Sequence, residues 1–233
     1  MHAGGRAGRV RLARLDAVAD DVTVAAGHWL TEDEAARLQT MSAPARRRSF
    51  LAGHWLARAL AADWLQADVA RIALQRHADG RPQLLLDGAP SPLSISLSHS
   101  GEWLACAIAD VPVGIDVELP RRVRDLHALA RFVFAQEEAE RLQAMDEARR
   151  SAAFHVLWTL HEARGKRTGS GLQPEQSRRI TAVASDRQHA EATSWLFHDG
   201  ALALAIDAGT EIVLEGGELL GSPCHWRYHA AAR

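Results

Sequence analysis

The sequence predicts an α+β protein built as a duplication of two similar α/β halves, residues 1–111 and 112–233. Three observations predict it. The chain has 233 residues, more than one ordinary domain and less than two large ones. Stretches with helical spacing are interleaved with short strand-like runs along its whole length. Leu104-Ala105-Cys106-Ala107-Ile108 and Leu202-Ala203-Leu204-Ala205-Ile206 agree at four of five positions, each after a glycine turn (Gly101, Gly200) and about half a chain apart.

The elements follow in order. Met1–Gly8 reads as a loose tail, and a strand begins near Val10 and Leu12. Thr31-Glu-Asp-Glu opens a helix, with Thr31 as N-cap and Glu34 three residues on. A longer helix follows Pro44, with Phe50, Leu51, Trp55, Ala59 and Trp64 spaced as one buried stripe. Ala78-Asp79-Gly80-Arg81-Pro82 is a turn between two short strands. Ser94–Ser98 and Trp103–Ala109 are strands, with Ser98-His99-Ser100-Gly101 as the turn between them. Val113–Glu118 is a strand, and helices follow at Leu126–Phe134, Gln136–Ala144 and from about Ala148 past Arg164, ending before Gly169. Ile180–Val183, Thr193–Phe197, Ala201–Ile206 and Ile212–Leu214 close the chain as strands.

Composition bounds the function. The chain is 47% hydrophobic and 24% charged, with a formal net charge of -2. That balance gives no global attraction to nucleic acid or an anionic membrane, so any phosphate affinity is local. Two distant cysteines, Cys106 and Cys224, make neither a disulfide framework nor a zinc spacing, and no apolar run reaches membrane length. A cytoplasmic protein is expected. Among 27 basic residues, a single one is lysine, Lys166, although lysine and arginine are not interchangeable at a tight site.

Four groups of residues carry chemistry. Gly114-Ile115-Asp116-Val117-Glu118 puts two carboxylates on one strand face, a set that suits Mg²⁺ and equally reads as a solvated acidic face. Trp158, Glu162 and Lys166 are four apart on one helix face, either as a site or as a tryptophan beside a surface pair worth about 0.3–0.5 kcal/mol. His161-Glu162 starts like a zinc-protease helix, but Gly165 stands where the second histidine is needed. Ser98-His99-Ser100-Gly101 offers an anion nest, and Arg46-Arg47-Arg48 opens a helix where phosphate is favoured. The chain has no Walker A loop and no dinucleotide fingerprint.

In chain order stand the arginine cluster, Gly80-Arg81-Pro82, Leu97-Ser98-His99-Ser100-Gly101, Gly114-Ile115-Asp116-Val117-Glu118 and Trp158-Thr159-Leu160-His161-Glu162-Ala163-Arg164-Gly165-Lys166. This series, from about Thr31 to Leu172, resembles the Sfp-type 4′-phosphopantetheinyl transferases. The resemblance implies a pseudo-two-fold monomer whose site lies in the cleft between its halves, with nucleotide contacts in the first and the metal in the second. It implies Mg²⁺ on Asp116, Glu118 and Glu162, with Glu162 and Lys166 catalytic and Lys166 at the pyrophosphate. It also implies coenzyme A contacts from Ser98, His99, Arg81 and one or more of Arg46, Arg47 and Arg48. The reaction would move phosphopantetheine from coenzyme A to a serine of an apo carrier protein, releasing 3′,5′-ADP.

One position departs from the family, where a lysine usually precedes the metal glutamate and this chain has His161. Its expected role is at the coenzyme A phosphates, with binding weakened at alkaline pH. Arg121–Arg124, Leu126, Phe132 and Phe134 are the expected docking surface for an acidic carrier, or else a packed helix with solvated arginines. Two other classes stay open: a non-catalytic coenzyme A- or nucleotide-binding protein, and a Mg²⁺-dependent phosphohydrolase.

Overall fold

The computed structural model describes residues 6–77, 79–120 and 125–231. Residues 1–112 with 211–217 form one unit, and residues 113–210 with 218–233 form the other. The boundary expected at 111/112 omits the return of residues 211–217 to the first unit.

In unit one the chain runs through β1 (Ala7–Arg14), α1 (Leu15–Ala19), α2 (Val22–Ala26), α3 (Glu32–Gln39) and α4 (Pro44–Leu65). A 3₁₀ turn leads to β2 (Ile72–Arg76), β3 (Pro82–Leu86), β4 (Ala89–Ser100) and β5 (Trp103–Ala109). The strand thus begins inside the expected tail, and α1 and α2 were not legible as helices. Thr31 starts α3 with a full capping box: its hydroxyl accepts the Glu34 N–H, and the Glu34 carboxylate accepts the Thr31 N–H. Ala52, Leu56, Ala57, Leu60 and Ala61 form the buried face of α4, packed with Ile72, Leu84, Ile95, Leu104 and Ile108. The expected stripe is therefore corrected: Leu51, Trp55, Ala59 and Trp64 are only partly buried. Small alanines bring the helix close to the sheet, and the bulky indoles flank that contact.

Unit two contains β6 (Gly114–Glu118), α5 (Leu126–Val133), α6 (Gln136–Gln143), α7 (Glu147–Thr168) and α8 (Pro174–Ser177). β7 (Ile180–Ala184), β8 (Ala192–Phe197), β9 (Gly200–Ala205) and β11 (Cys224–Ala230) complete its sheet. Asp146 caps α7 through the Arg149 N–H, and Gly169 ends it at φ 77° in the left-handed region. Phe134, Phe154, Leu157, Leu160, Ala203 and Ala205 form its core. Phe134, expected at a docking surface, is 1% exposed, because its ring packs on Phe154. β11 was missed in the sequence although it alternates, Cys224, Trp226, Tyr228 and Ala230 against His225, Arg227 and His229, with Trp226 and Tyr228 packed on the core.

Two sheets result. The first has the order β10-β1-β5-β4-β3-β2, in which β10 (Glu211–Glu215) lies parallel to β1. The second has the order β6-β9-β8-β11-β7, all antiparallel. The expected turn at Ser98–Gly101 is corrected: Ser98, His99 and Ser100 are ladder residues of β4, paired with Ala105, Leu104 and Trp103. Only Gly101 and Glu102 make the bend, with Gly101 at φ 59°. Gly200 is likewise not a turn residue, since Phe197 pairs with it across His198 and Asp199. It is a glycine because a Cβ there would lie 2.0 Å from the Glu118 carbonyl oxygen.

Candidate active site

β6 and α7 build the acidic part of the site within unit two. Along β6 the side chains alternate: Ile115 and Val117 share one face with Leu204 and Leu202, and Asp116 and Glu118 lie on the other, the face of Ala203 on which α7 packs. Asp116 is 7% exposed, so this is not a solvated acidic face. α7 lies tight on the strand at Gly114, where a Cβ would meet the Ala163 carbonyl oxygen at 1.9 Å. Gly165 admits the following loop just as closely, with the Gly171 carbonyl oxygen 2.3 Å from its ideal Cβ.

That closeness brings Lys166 over β6. Its Nζ donates to Asp116 Oδ1 at 2.7 Å and to the Ile115 carbonyl at 3.0 Å. One turn earlier, Glu162 is half-buried. Its carboxyl is raised above the ordinary range by burial and then by Asp116; Lys166 opposes this, and Glu118 adds to it. Three carboxylates therefore feel one another here, offset by one ammonium.

Such a set consists of hard oxygen donors without a sulfur or imidazole, the chemistry that Mg²⁺ takes, and a divalent cation would relieve the crowding at Glu162. As the side chains stand, no three His, Cys, Asp or Glu among the described residues are gathered closely enough to hold an ion. Lys166 lies on Asp116 instead.

Unit one contains a separate groove of about 220 Å³ between α3, α4 and β4. Arg46, Ser98 and His99 line it together with Arg37, Phe50 and His54. Three of the sequence-predicted residues are thereby brought together. The other arginines are not. Arg47 donates to the carbonyls of Leu38 at 2.5 Å and Met41 at 3.4 Å, closing the end of α3. Arg48 pairs with Asp20 at 2.5 Å, and Arg81 sits in the β2–β3 turn on Asp79 at 2.7 Å and 2.9 Å; neither lines the groove.

Arg37, Phe50 and His54 were missed. Arg46, Ser49, Phe50, Gly53 and His54 follow the i, i+3, i+4, i+7, i+8 spacing of one helix face, a signal present in the sequence. His54 Nδ1 lies 2.6 Å from Glu34 Oε1 and its ring is 4.0 Å from that of Phe50.

His161 corrects a further expectation. Its ring is 1% exposed, with Nε2 3.0 Å from Glu138 Oε2 and Nδ1 2.7 Å from Ser177 Oγ. Both nitrogens are engaged inside unit two, so neither is presented to a phosphate. Of the expected docking surface, Phe132 is 60% exposed and Leu126 partly buried; Arg121–Arg124 and Ala78 of the β2–β3 turn lie outside the described residues.

Comparisons with known proteins agree on one family. Residues 112–212 match the model of the 4′-phosphopantetheinyl transferase superfamily, and residues 19–110 match the model described as 4′-phosphopantetheinyl transferase, N-terminal. The chain is 33% identical over 144 residues to the 4′-phosphopantetheinyl transferase HetI of Nostoc sp., covering 61% of each protein. It is 34% identical over 118 residues to 4′-phosphopantetheinyl transferase psf-1 of Bacillus pumilus, covering 51% of this chain and 48% of the relative. With 4′-phosphopantetheinyl transferase Sfp of Bacillus subtilis it shares 29% identity over 155 residues, 61% of this chain and 67% of the relative. The matched part thus spans about half to two thirds of these curated relatives.

Proposed function

Because the chain belongs to the 4′-phosphopantetheinyl transferase superfamily, we propose that it transfers phosphopantetheine from coenzyme A to a serine hydroxyl of an apo carrier protein. The observation that carries the reading is the meeting of the only lysine with Asp116 beside the raised carboxyl of Glu162. Asp116, Glu118 and Glu162 would hold Mg²⁺. Bound there, the ion would neutralise charge on the diphosphate.

The chain's own groups do the rest. The Lys166 ammonium, held at the strand by the Ile115 carbonyl, has further protons to donate to a diphosphate oxygen and stabilises charge on the leaving group. Glu162, the carboxylate one turn before Lys166 on α7, is the group we assign to accept the serine proton. In unit one, Arg46 meets the 3′-phosphate, with Ser98 and His99 on the nucleotide end; Arg81 is carried over from the family pattern alone. Such transfer is mostly positioning and charge neutralisation.

Phe132 on α5, with Arg178 donating to its carbonyl at 2.9 Å, marks the face for the acidic carrier. The protein works as a cytoplasmic monomer; no described helix is long and apolar enough to cross a membrane. The test is incubation with coenzyme A, MgCl₂ and an apo carrier protein. The expected result is a carrier heavier by one phosphopantetheine and release of 3′,5′-ADP. Release of inorganic phosphate with an unmodified carrier would overturn it.

A further inference from the structure

α7 is held by a buried polar network that the chemistry above does not use. Glu138 of α6 is fully buried; its Oε2 takes His161 Nε2 at 3.0 Å and its Oε1 accepts the Ala182 N–H of β7 at 2.8 Å. The other nitrogen of His161 meets Ser177 Oγ of α8, and its ring packs 5.2 Å from Phe134. One carboxylate and one imidazole thus tie together α6, α7, α8 and β7.

Unit one holds its own long helix in the same manner. Glu34 of α3 receives Arg58 of α4 through two bonds, at 3.0 Å and 2.5 Å, and Arg58 is 1% exposed. The sequence around each glutamate is repeated: Glu34–Met41, EAARLQTM, and Glu138–Met145, EAERLQAM, agree at six of eight positions. The repeat extends to a second arginine. Arg47 donates to the carbonyls of Leu38 and Met41, and Arg150 to those of Leu142 and Met145. From Arg47 to Arg58 and from Arg150 to His161 is the same step, 58 − 47 = 161 − 150 = 11 residues, about three helical turns and hence one face. His161 is the counterpart of Arg58. Its next neighbour is Glu162, where unit one has Ala59.

We infer that the Glu138–His161–Ser177 network fixes the rotation of α7 about its axis, making His161 a positioning residue for Glu162 and Lys166. A helix turns about 100° per residue, so a small rotation swings Glu162 and Lys166 away from β6 together. Apolar packing tolerates such slippage, whereas a fully paired buried network does not. The inference rests on the reading of Glu162 as a metal ligand.

His161→Leu, His161→Arg and Glu138→Gln test it in the full chain. Thermal melting reports folding, MgCl₂ titrated calorimetrically reports the metal site, and carrier modification reports turnover. His161→Leu is expected to weaken Mg²⁺ binding by about tenfold or more, the usual scale for residues that orient ligands. It lowers kcat at limiting Mg²⁺ and leaves the KM for coenzyme A at saturating Mg²⁺ unchanged. His161→Arg, which copies the Arg58 pairing, restores most of the loss. Glu138→Gln keeps an acceptor for Ala182 and a partner for a neutral imidazole, so it shifts Mg²⁺ affinity in the same direction by less. If His161→Leu fails to fold, this milder variant decides. A raised KM for coenzyme A with Mg²⁺ affinity unchanged would make His161 a phosphate contact and overturn the inference, as would unchanged Mg²⁺ affinity in the folded variants. A wild type that binds Mg²⁺ but modifies no carrier overturns only the transferase reading, and the calorimetric comparison stands apart from it.

Discussion

Units one and two share a frame and differ in the charges mounted on it. Leaving aside β10, which lies parallel to β1, the strand orders β1-β5-β4-β3-β2 and β6-β9-β8-β11-β7 are both antiparallel throughout and match in chain order at four places; at the fourth, β11 from late in the chain stands where unit one has β3. On the helix-facing side of the sheets, Asp116 pairs with Ala203 in unit two and Arg11 with Cys106 in unit one; two residues on, Glu118 pairs with Ala201 and Ala13 with Leu104. The ion pair between long helix and first strand is inverted: Asp63 on α4 accepts from Arg11 at 2.7 Å, whereas Lys166 on α7 donates to Asp116. The glutamate that holds the helix and the arginine that closes the preceding one are kept in both. Divergence is thus concentrated where the long helix meets the first strand, while the buried glutamate and the closing arginine are retained.

The comparison breaks first if the frame is not what holds unit one together. Arg58→Met leaves Glu34 buried without its main partner, and removal of one member of a buried pair costs about 3–5 kcal/mol. Denaturant unfolding should show that loss, and one below about 1 kcal/mol would deny Arg58 this role. Lys166→Met should do the reverse. Removing one preorganised donor costs about 10²–10³ in kcat, measured by carrier modification, with a smaller loss of unfolding free energy than Arg58→Met because Lys166 is partly exposed where Arg58 is not. Asp63→Ala, at the matching place in unit one, should change neither by much.

Acid sharpens the comparison further. Burial would raise the Glu34 carboxyl, but hydrogen bonds from His54, Arg58 and the Thr31 N–H outweigh it and hold it at about 2, below the ordinary 4.5. A depressed carboxyl stabilises the fold above its unfolded value and loses that contribution as pH falls through the folded one. Unfolding free energy should therefore drop between about pH 4.5 and pH 2, and Glu34→Gln should flatten that drop. An unchanged slope in Glu34→Gln would show that other carboxylates dominate.

Legibility in the sequence followed the range of the interaction. Thr31 with Glu34, and Gly169 after Lys166, announce helix ends because a cap needs only residues three or four apart. The face shared by Asp116 and Glu118, and that shared by Glu162 and Lys166, follow from strand and helix periods alone. Their meeting does not, since it depends on Gly114 admitting α7, a contact between residues 114 and 163. His161 misled for the same reason: its neighbour in the chain is Glu162, but its partner is Glu138, 23 residues away. The repeat Glu34–Met41 was readable and would have pointed to it. β11 was readable from its alternation of Cys224, Trp226, Tyr228 and Ala230 with His225, Arg227 and His229; its place between β7 and β8 was not, since that pairing joins residues 30 or more apart.

Smallest in effect and most specific is the separation of three consecutive arginines. Arg46 lines the groove with Ser98 and His99, Arg47 closes α3, and Arg48 pairs with Asp20 in solvent. A charge-assisted hydrogen bond contributes about 1.5–3 kcal/mol, so Arg46→Ala should raise the KM for coenzyme A about tenfold or more. Its kcat should hold, since a contact kept from ground state to transition state changes affinity alone. Arg47→Ala should instead lower unfolding free energy by about 1 kcal/mol with KM unchanged, as Arg150→Ala should in unit two. Arg48→Ala should alter neither, because exposed pairs contribute about 0–1 kcal/mol. Equal rises in KM for Arg46→Ala and Arg48→Ala would mean that bulk positive charge, and not the groove, attracts the nucleotide. Raising the salt concentration then decides between them, since a diffuse field is screened over about 10 Å at 0.1 M and a seated phosphate contact far less.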